Sequence, residues 1–148
     1  LWRLLYESIQ ITDCGSMSVH SAQTQAKLQI MMQYIHDNYS GQITLDDIAR
    51  TVLISKSSVL NIFRTYLHTS PINYVVEYRL KRASKLLVDT ENSVCTIAQE
   101  TGFENIGYFC RKFKKLYGVT PINYRKHCRS AERNSMRNIH SDTNILSG

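Results

Sequence analysis

The sequence predicts an all-α protein in which two similar helical units are joined by one longer helix, and three observations predict it. Apolar residues recur at the i, i+3, i+4, i+7 spacing of a helix's buried face in segment after segment. Only 6 Gly and 2 Pro occur in 148 residues, which suits helices with short connections. The chain also repeats part of itself, because Ser70-Pro71-Ile72-Asn73-Tyr74 recurs as Thr120-Pro121-Ile122-Asn123-Tyr124.

The elements follow in order. Trp2, Leu5 and Ile9 lie at helical spacing and predict an opening helix over 1–11, with 12–21 as a polar linker. The next helix, Ala22 to Tyr39, buries Leu28, Met31, Met32 and Ile35, and Ser40-Gly41 stops it. Thr44, with Asp47 three residues on, can cap a short helix that turns Leu45, Ile48, Ala49 and Val52 inward. After a break at Leu53-Ile54-Ser55 comes a helix from Lys56 to Leu67, buried through Val59, Ile62, Phe63 and Tyr66. Ser70-Pro71 is a cap followed by proline at the first helical position. The helix it opens runs to about Val88, with Val76, Leu80, Ala83 and Leu87 on one stripe. Ser93 caps a short helix that stops at Gly102. Asn105 caps the next, which buries Phe109, Phe113 and Leu116 and stops at Gly118. Thr120-Pro121 opens a final short helix, and the polar, aperiodic residues 129–148 read as a disordered tail. The domain reading is therefore 1–21 upstream segment, 22–70 first unit, 71–88 linker helix, 89–128 second unit and 129–148 tail.

The repeat extends beyond the Pro-Ile-Asn-Tyr motif. Phe63 recurs as Phe113, and further upstream Ile48-Ala49 matches Ile97-Ala98 at an offset one residue shorter. One extra residue thus lies between the two helices of the second unit. Short helix, tight turn, longer helix is the pattern of a helix-turn-helix. The same pattern also describes two generic helical hairpins, and the charge distribution weighs between them. Residues 41–130 carry 14 Lys and Arg against 7 Asp and Glu, while residues 1–40 and 131–148 contribute almost nothing to the net charge of +6. Positive potential gathered in the repeated segment favours contact with phosphates.

Other functions find less support. Cys14, Cys95, Cys110 and Cys128 are far apart and form no metal-ligand or disulfide-framework spacing, which fits a reduced, intracellular chain. No apolar run reaches the roughly 20 residues of a membrane span. His20, His36, His68, His127 and His140 show no ligand spacing, no nucleophile elbow appears, and neither catalytic residues, nor a metal, nor a cofactor is expected. A helical module for an acidic protein partner and a single-strand binder remain alternatives, the second weakened because the aromatics fall on buried stripes.

Several residues together resemble the AraC/XylS family of transcription regulators. They are Ile97-Ala98, Gly102-Phe103, Tyr108-Phe109, Arg111, Phe113-Lys114, Gly118-Val119-Thr120-Pro121 and Tyr124-Arg125, with Leu45, Ile48-Ala49, Phe63-Arg64, Tyr78-Arg79-Leu80, Ala83 and Leu86-Leu87 upstream. The likeness covers about residues 25–127. It implies seven helices in two helix-turn-helix subdomains, sequence-specific binding to double-stranded DNA, and recruitment of RNA polymerase, most often as an activator in the bacterial cytoplasm at the nucleoid. It also implies a small-molecule effector bound by an upstream domain. The start at Leu1, with no cap or initiator Met, agrees with a C-terminal part of a longer regulator. Leu53 stands where the family's first turn usually carries glycine or another small residue, and His68 at a second usual glycine. A leucine at positive φ is strained, so a looser or reshaped first turn is expected.

Helical position then assigns the contacts. In the first recognition helix Ser57, Leu60 and Asn61 face base edges, with Asn61 suited to a bidentate contact with adenine. Leu60 either packs on a thymine methyl or covers a neighbouring helix. In the second, Ile106, Gly107, Cys110 and Arg111 face the bases, and Arg111 is the guanine reader because its fork matches O6 and N7. Gly107 either admits the DNA closely or is merely tolerated, and Cys110 is read as a small surface thiol rather than a redox switch. Lys56, Ser58, Arg64, Arg79, Lys112, Lys114 and Lys115 are assigned to the phosphate backbone. The linker helix of roughly 27 Å approaches the roughly 34 Å of one DNA turn, so it can space two heads into successive major grooves.

Overall fold

The computed structural model describes residues 19–143. The predicted opening helix over 1–11, Cys14 and residues 144–148 lie outside them. The described residues form seven helices and no strand: α1 Val19–Asn38, α2 Leu45–Thr51, α3 Lys56–Leu67, α4 Pro71–Asp89, α5 Val94–Glu100, α6 Ile106–Tyr117 and α7 Pro121–Thr143. Two compact units divide between Tyr78 and Arg79, within α4.

Capping chemistry fixes where most of these helices begin. Thr44 and Asp47 bond reciprocally, Asp47 N–H donating to the Thr44 hydroxyl at 3.2 Å and Thr44 N–H donating to the Asp47 carboxylate at 2.9 Å. Ser55, Ser93 and Asn105 accept from the backbone N–H three residues on at 3.2, 3.1 and 2.8 Å. Ser70 and Thr120 do the same ahead of Pro71 and Pro121. α1 starts at Val19, three residues before the sequence places it, which takes 19–21 out of the expected linker.

In the first unit α1 buries Leu28, Met31, Met32 and Ile35 against Ile48 and Ala49 of α2 and Val59, Phe63 and Leu67 of α3. Each large apolar side chain removed from water contributes roughly 1.5–3 kcal/mol. Tyr74 of α4 completes this core, meeting Phe63 edge to face at 5.7 Å. Its hydroxyl pairs with His36 Nε2 at 2.8 Å, and burial pushes that hydroxyl well above its ordinary pKa.

The second unit buries Leu80, Ala83 and Leu87 of α4 with Ile97, Ala98, Phe103, Phe109 and Phe113. Here Phe113 meets Tyr124 edge to face at 5.4 Å, the counterpart of the Phe63–Tyr74 contact. The repeated Phe and Pro-Ile-Asn-Tyr are therefore one packing device used twice: the capped Pro starts a helix whose fourth side chain, Tyr, packs edge to face on Phe.

The buried faces differ from the predicted ones in three places. Val76 is only partly buried, and Tyr74 and Val75 take its place, because α4 serves one core with its first half and another with its second. One stripe cannot serve both. In α3 Leu67 joins the buried face, beside Ile62 and Tyr66, which pack half-buried against the core as predicted. In α6 Leu116 is exposed, and Tyr117 packs instead, 4.5 Å from Phe113 with its hydroxyl donating to Ser84 Oγ at 3.1 Å.

The last helix also departs from the sequence reading. α7 continues past Arg129 to Thr143 where a disordered tail is expected. No Gly or Pro interrupts 122–143, and polarity decides which faces meet water rather than whether the backbone ladder continues. Its first turns are anchored: Arg125 Nε donates to Leu87 O at 2.9 Å and its Nη2 to Asn92 O at 2.6 Å. Arg129 pairs with Glu91 at 2.7 Å. Met136 and Ile139 beyond them are exposed.

Candidate nucleic-acid interface

The turn between α2 and α3 has the same form as the turn between α5 and α6. Leu53 N–H donates to Arg50 O at 3.4 Å and Ile54 N–H to Ala49 O at 3.2 Å. One repeat later Gly102 N–H donates to Gln99 O at 3.0 Å and Phe103 N–H to Ala98 O at 2.9 Å. Leu53 has a φ of 53° and Gly102 of 87°. The expected looser or reshaped turn is corrected. Leu53 adopts the left-handed conformation itself, with its side chain 91% exposed. His68 likewise ends α3 at a φ of 53°, where Gly118 ends α6 at 79°. The extra residue of the second unit is Glu104, between the turn and the Asn105 cap.

On α3 the residues predicted to face DNA are exposed together: Lys56, Ser57, Ser58, Leu60, Asn61 and Arg64. Two of them carry internal bonds. Lys56 Nζ pairs with Asp46 of α2 at 3.0 Å, and the Ser58 hydroxyl lies 2.9 Å from Ser55 Oγ. Lys56 therefore sits on the α2 flank of α3. Leu60 is 39% exposed, so part of its apolar surface remains presented to solvent.

On α6 Ile106, Arg111, Lys114 and Lys115 are exposed, while Gly107, Cys110 and Lys112 are half-exposed. A Cβ built on Gly107 would come within 3.2 Å of the capping Asn105 Oδ1 and 3.6 Å of Arg111 Nη1. The guanidinium of Arg111 thus folds back over the glycine. Lys112 Nζ lies 5.5 Å from the ring centre of Tyr108. Tyr108 stands where Ser58 stands in the first unit, and the repeat alignment is the signal that finds it.

Arg79, assigned from sequence to phosphate, is half-buried beside the turn that leads into α6. Its guanidinium carbon lies 6.0 Å from the centre of the Phe103 ring. Burial lowers its pKa, with Glu104 and Tyr108 opposing that shift. α1 supplies residues that the sequence reading did not assign: Thr24 and Lys27 line a groove shared with Ser58, Asn61 and Thr65. Among the described residues no cluster of His, Cys, Asp and Glu can hold a metal ion. None of the described helices is long and apolar enough to cross a membrane.

Comparison with known proteins agrees with this geometry. Residues 48–127 match a family described as a helix-turn-helix domain. The transcriptional regulator YdeC of Bacillus subtilis is 33% identical over 100 residues, which are 68% of this chain and 34% of that protein. The lactose operon transcription activator of Staphylococcus xylosus is 30% identical over 68% of this chain and 36% of its own length. The chain thus spans about a third of these relatives. Among solved structures, a regulator from Chromobacterium violaceum with an AraC-type DNA-binding domain superposes with a TM-score of 0.68 at 31% identity. That match covers 72% of this chain and 96% of the other.

Proposed function

The chain belongs to the AraC-type helix-turn-helix family of transcription regulators, and we propose that its two units read a single duplex site through α3 and α6 in successive major grooves. One observation carries the reading. In both units the second helix presents an outward face of donors and cations, with Asn61 and Arg111 at equivalent positions of the repeat. Asn matches the N6 and N7 edge of adenine and Arg the O6 and N7 edge of guanine. The two faces differ in sequence, so the site is asymmetric and one chain suffices to read it. α4 runs without a break from one unit into the other and serves as the spacer.

Base contacts fall to Ser57, Leu60, Asn61, Ile106, Gly107, Cys110 and Arg111. Phosphate contacts fall to Lys56, Ser58, Arg64, Lys112, Lys114 and Lys115. Selection from a random duplex pool, followed by titration of selected and scrambled duplexes at two salt concentrations, tests this. A preference for the selected duplex that persists at the higher salt supports it. Equal affinity for both duplexes under both conditions overturns it.

The regulation is activation through contact with RNA polymerase, in the bacterial cytoplasm at the nucleoid. Support comes from the Staphylococcus xylosus relative, whose name describes an activator of transcription. An effector-binding domain upstream of this chain completes the regulator. A reporter promoter carrying the selected site tests activation: output rises with the chain present, and a fall marks a repressor instead.

A further inference from the structure

The two recognition helices carry different charge on one of their flanks, and the first unit makes up the difference from another helix. Positions 58, 61, 62 and 65 of α3 correspond in the repeat to Tyr108, Arg111, Lys112 and Lys115 of α6. The second unit therefore has two lysines on a flank where the first has Ile62 and Thr65. In the first unit this flank borders an open groove of about 350 Å³, whose other wall includes Thr24 and Lys27 of α1. Lys56, by contrast, lies on the α2 flank, paired with Asp46. Among the described residues no carboxylate pairs with Lys27.

We propose that Lys27 of α1 is the phosphate anchor of the first reading head, standing in for the cations that α6 carries on the corresponding flank as Lys112 and Lys115. The inference rests on the DNA reading given above. With Asn61 directed at a base, the groove beside it faces the backbone of the strand that borders that major groove. An ammonium on a flexible stem suits such a contact as a point charge with no sequence preference. Thr65 offers a hydroxyl to the same phosphate.

The test is a salt titration of the full chain on selected and scrambled duplexes, using Lys27→Met, which keeps the aliphatic stem in the groove. The expected result is a loss of about 3- to 10-fold on both duplexes and a slope of log K against log salt shallower by about 0.9. Thr65→Lys added to Lys27→Met restores the slope by placing the charge where Lys115 stands in the second unit. A slope unchanged by Lys27→Met, with Lys114→Ala still shallower, overturns the assignment of Lys27 alone. If Lys114→Ala and Arg111→Ala are also without effect, the DNA reading itself fails. A loss confined to the selected duplex makes Lys27 a base reader and overturns its role as an anchor.

Discussion

Leu53 and Gly102 occupy the same place in the two helix-turn-helix turns, at φ values of 53° and 87° and with matching backbone hydrogen bonds. The left-handed conformation costs a residue with a Cβ about 1–2 kcal/mol, and glycine almost nothing. The first unit carries that cost where the second does not. Since Leu53 is 91% exposed, its side chain recovers little of it by packing.

Leu53→Gly is accordingly expected to stabilise the protein by about 0.5–1 kcal/mol, because the greater freedom of glycine in the unfolded chain offsets part of the relief. A thermal melt should rise by a few degrees. The reverse change, Gly102→Leu, should lower it. A Leu53→Gly melt at or below wild type means that the leucine is not strained.

The fold was largely legible because its signals are local. Caps at Thr44, Ser70, Ser93 and Asn105 and stops at Gly102 and Gly118 each state where a helix begins or ends. Buried faces were less legible where geometry beyond a single helix decides them. Val76 lost its place because α4 serves two cores, and Leu116 yielded to Tyr117, whose hydroxyl reaches Ser84 of α4. The interface divides in the same way. Exposure of Ser57, Asn61, Arg64, Arg111 and Lys114 follows from helical period alone. The place of Lys27 beside α3 depends on how α1 packs, which spacing along the chain does not encode.

Arg111→Ala is expected to weaken binding to the selected duplex by about 1–3 kcal/mol and to relax preference at one base pair. Fluorescence anisotropy with a set of singly substituted duplexes reads both quantities. Unchanged affinity for the selected duplex removes Arg111 from the base readers.

Lys114→Ala should weaken every duplex alike and make the salt slope shallower by about 0.9, as expected for one lost phosphate contact. Lys114 is exposed in the last turn of α6, so the melt should stay within about 0.5 kcal/mol of wild type. A change in the preferred sequence with the slope intact assigns Lys114 to base edges instead.

Thr44 and Asp47 give α2 a pH dependence. The Thr44 hydroxyl, and then its backbone N–H, hold the Asp47 carboxyl below the ordinary value of 3.8. A carboxylate with a lowered pKa contributes stability that is present above the unfolded value and lost as pH falls through the folded one. Asp47→Asn should therefore narrow the gap between melts at neutral pH and below pH 3.8. An equal gap in wild type and variant places the acid sensitivity elsewhere.

Arg79 separates structural from interfacial cations. Its guanidinium lies over Phe103, next to the turn that leads into α6, and burial lowers its pKa. A cation that contacts phosphate releases counterions on binding, whereas one held against a buried ring contributes to the fold, typically by about 0.5–2 kcal/mol. Arg79→Gln is thus expected to lower the melting temperature by several degrees and leave the salt slope at its wild-type value. The two readings predict opposite pairs of results, so one variant measured in both assays decides between them. A shallower slope with an unchanged melt returns Arg79 to the DNA backbone.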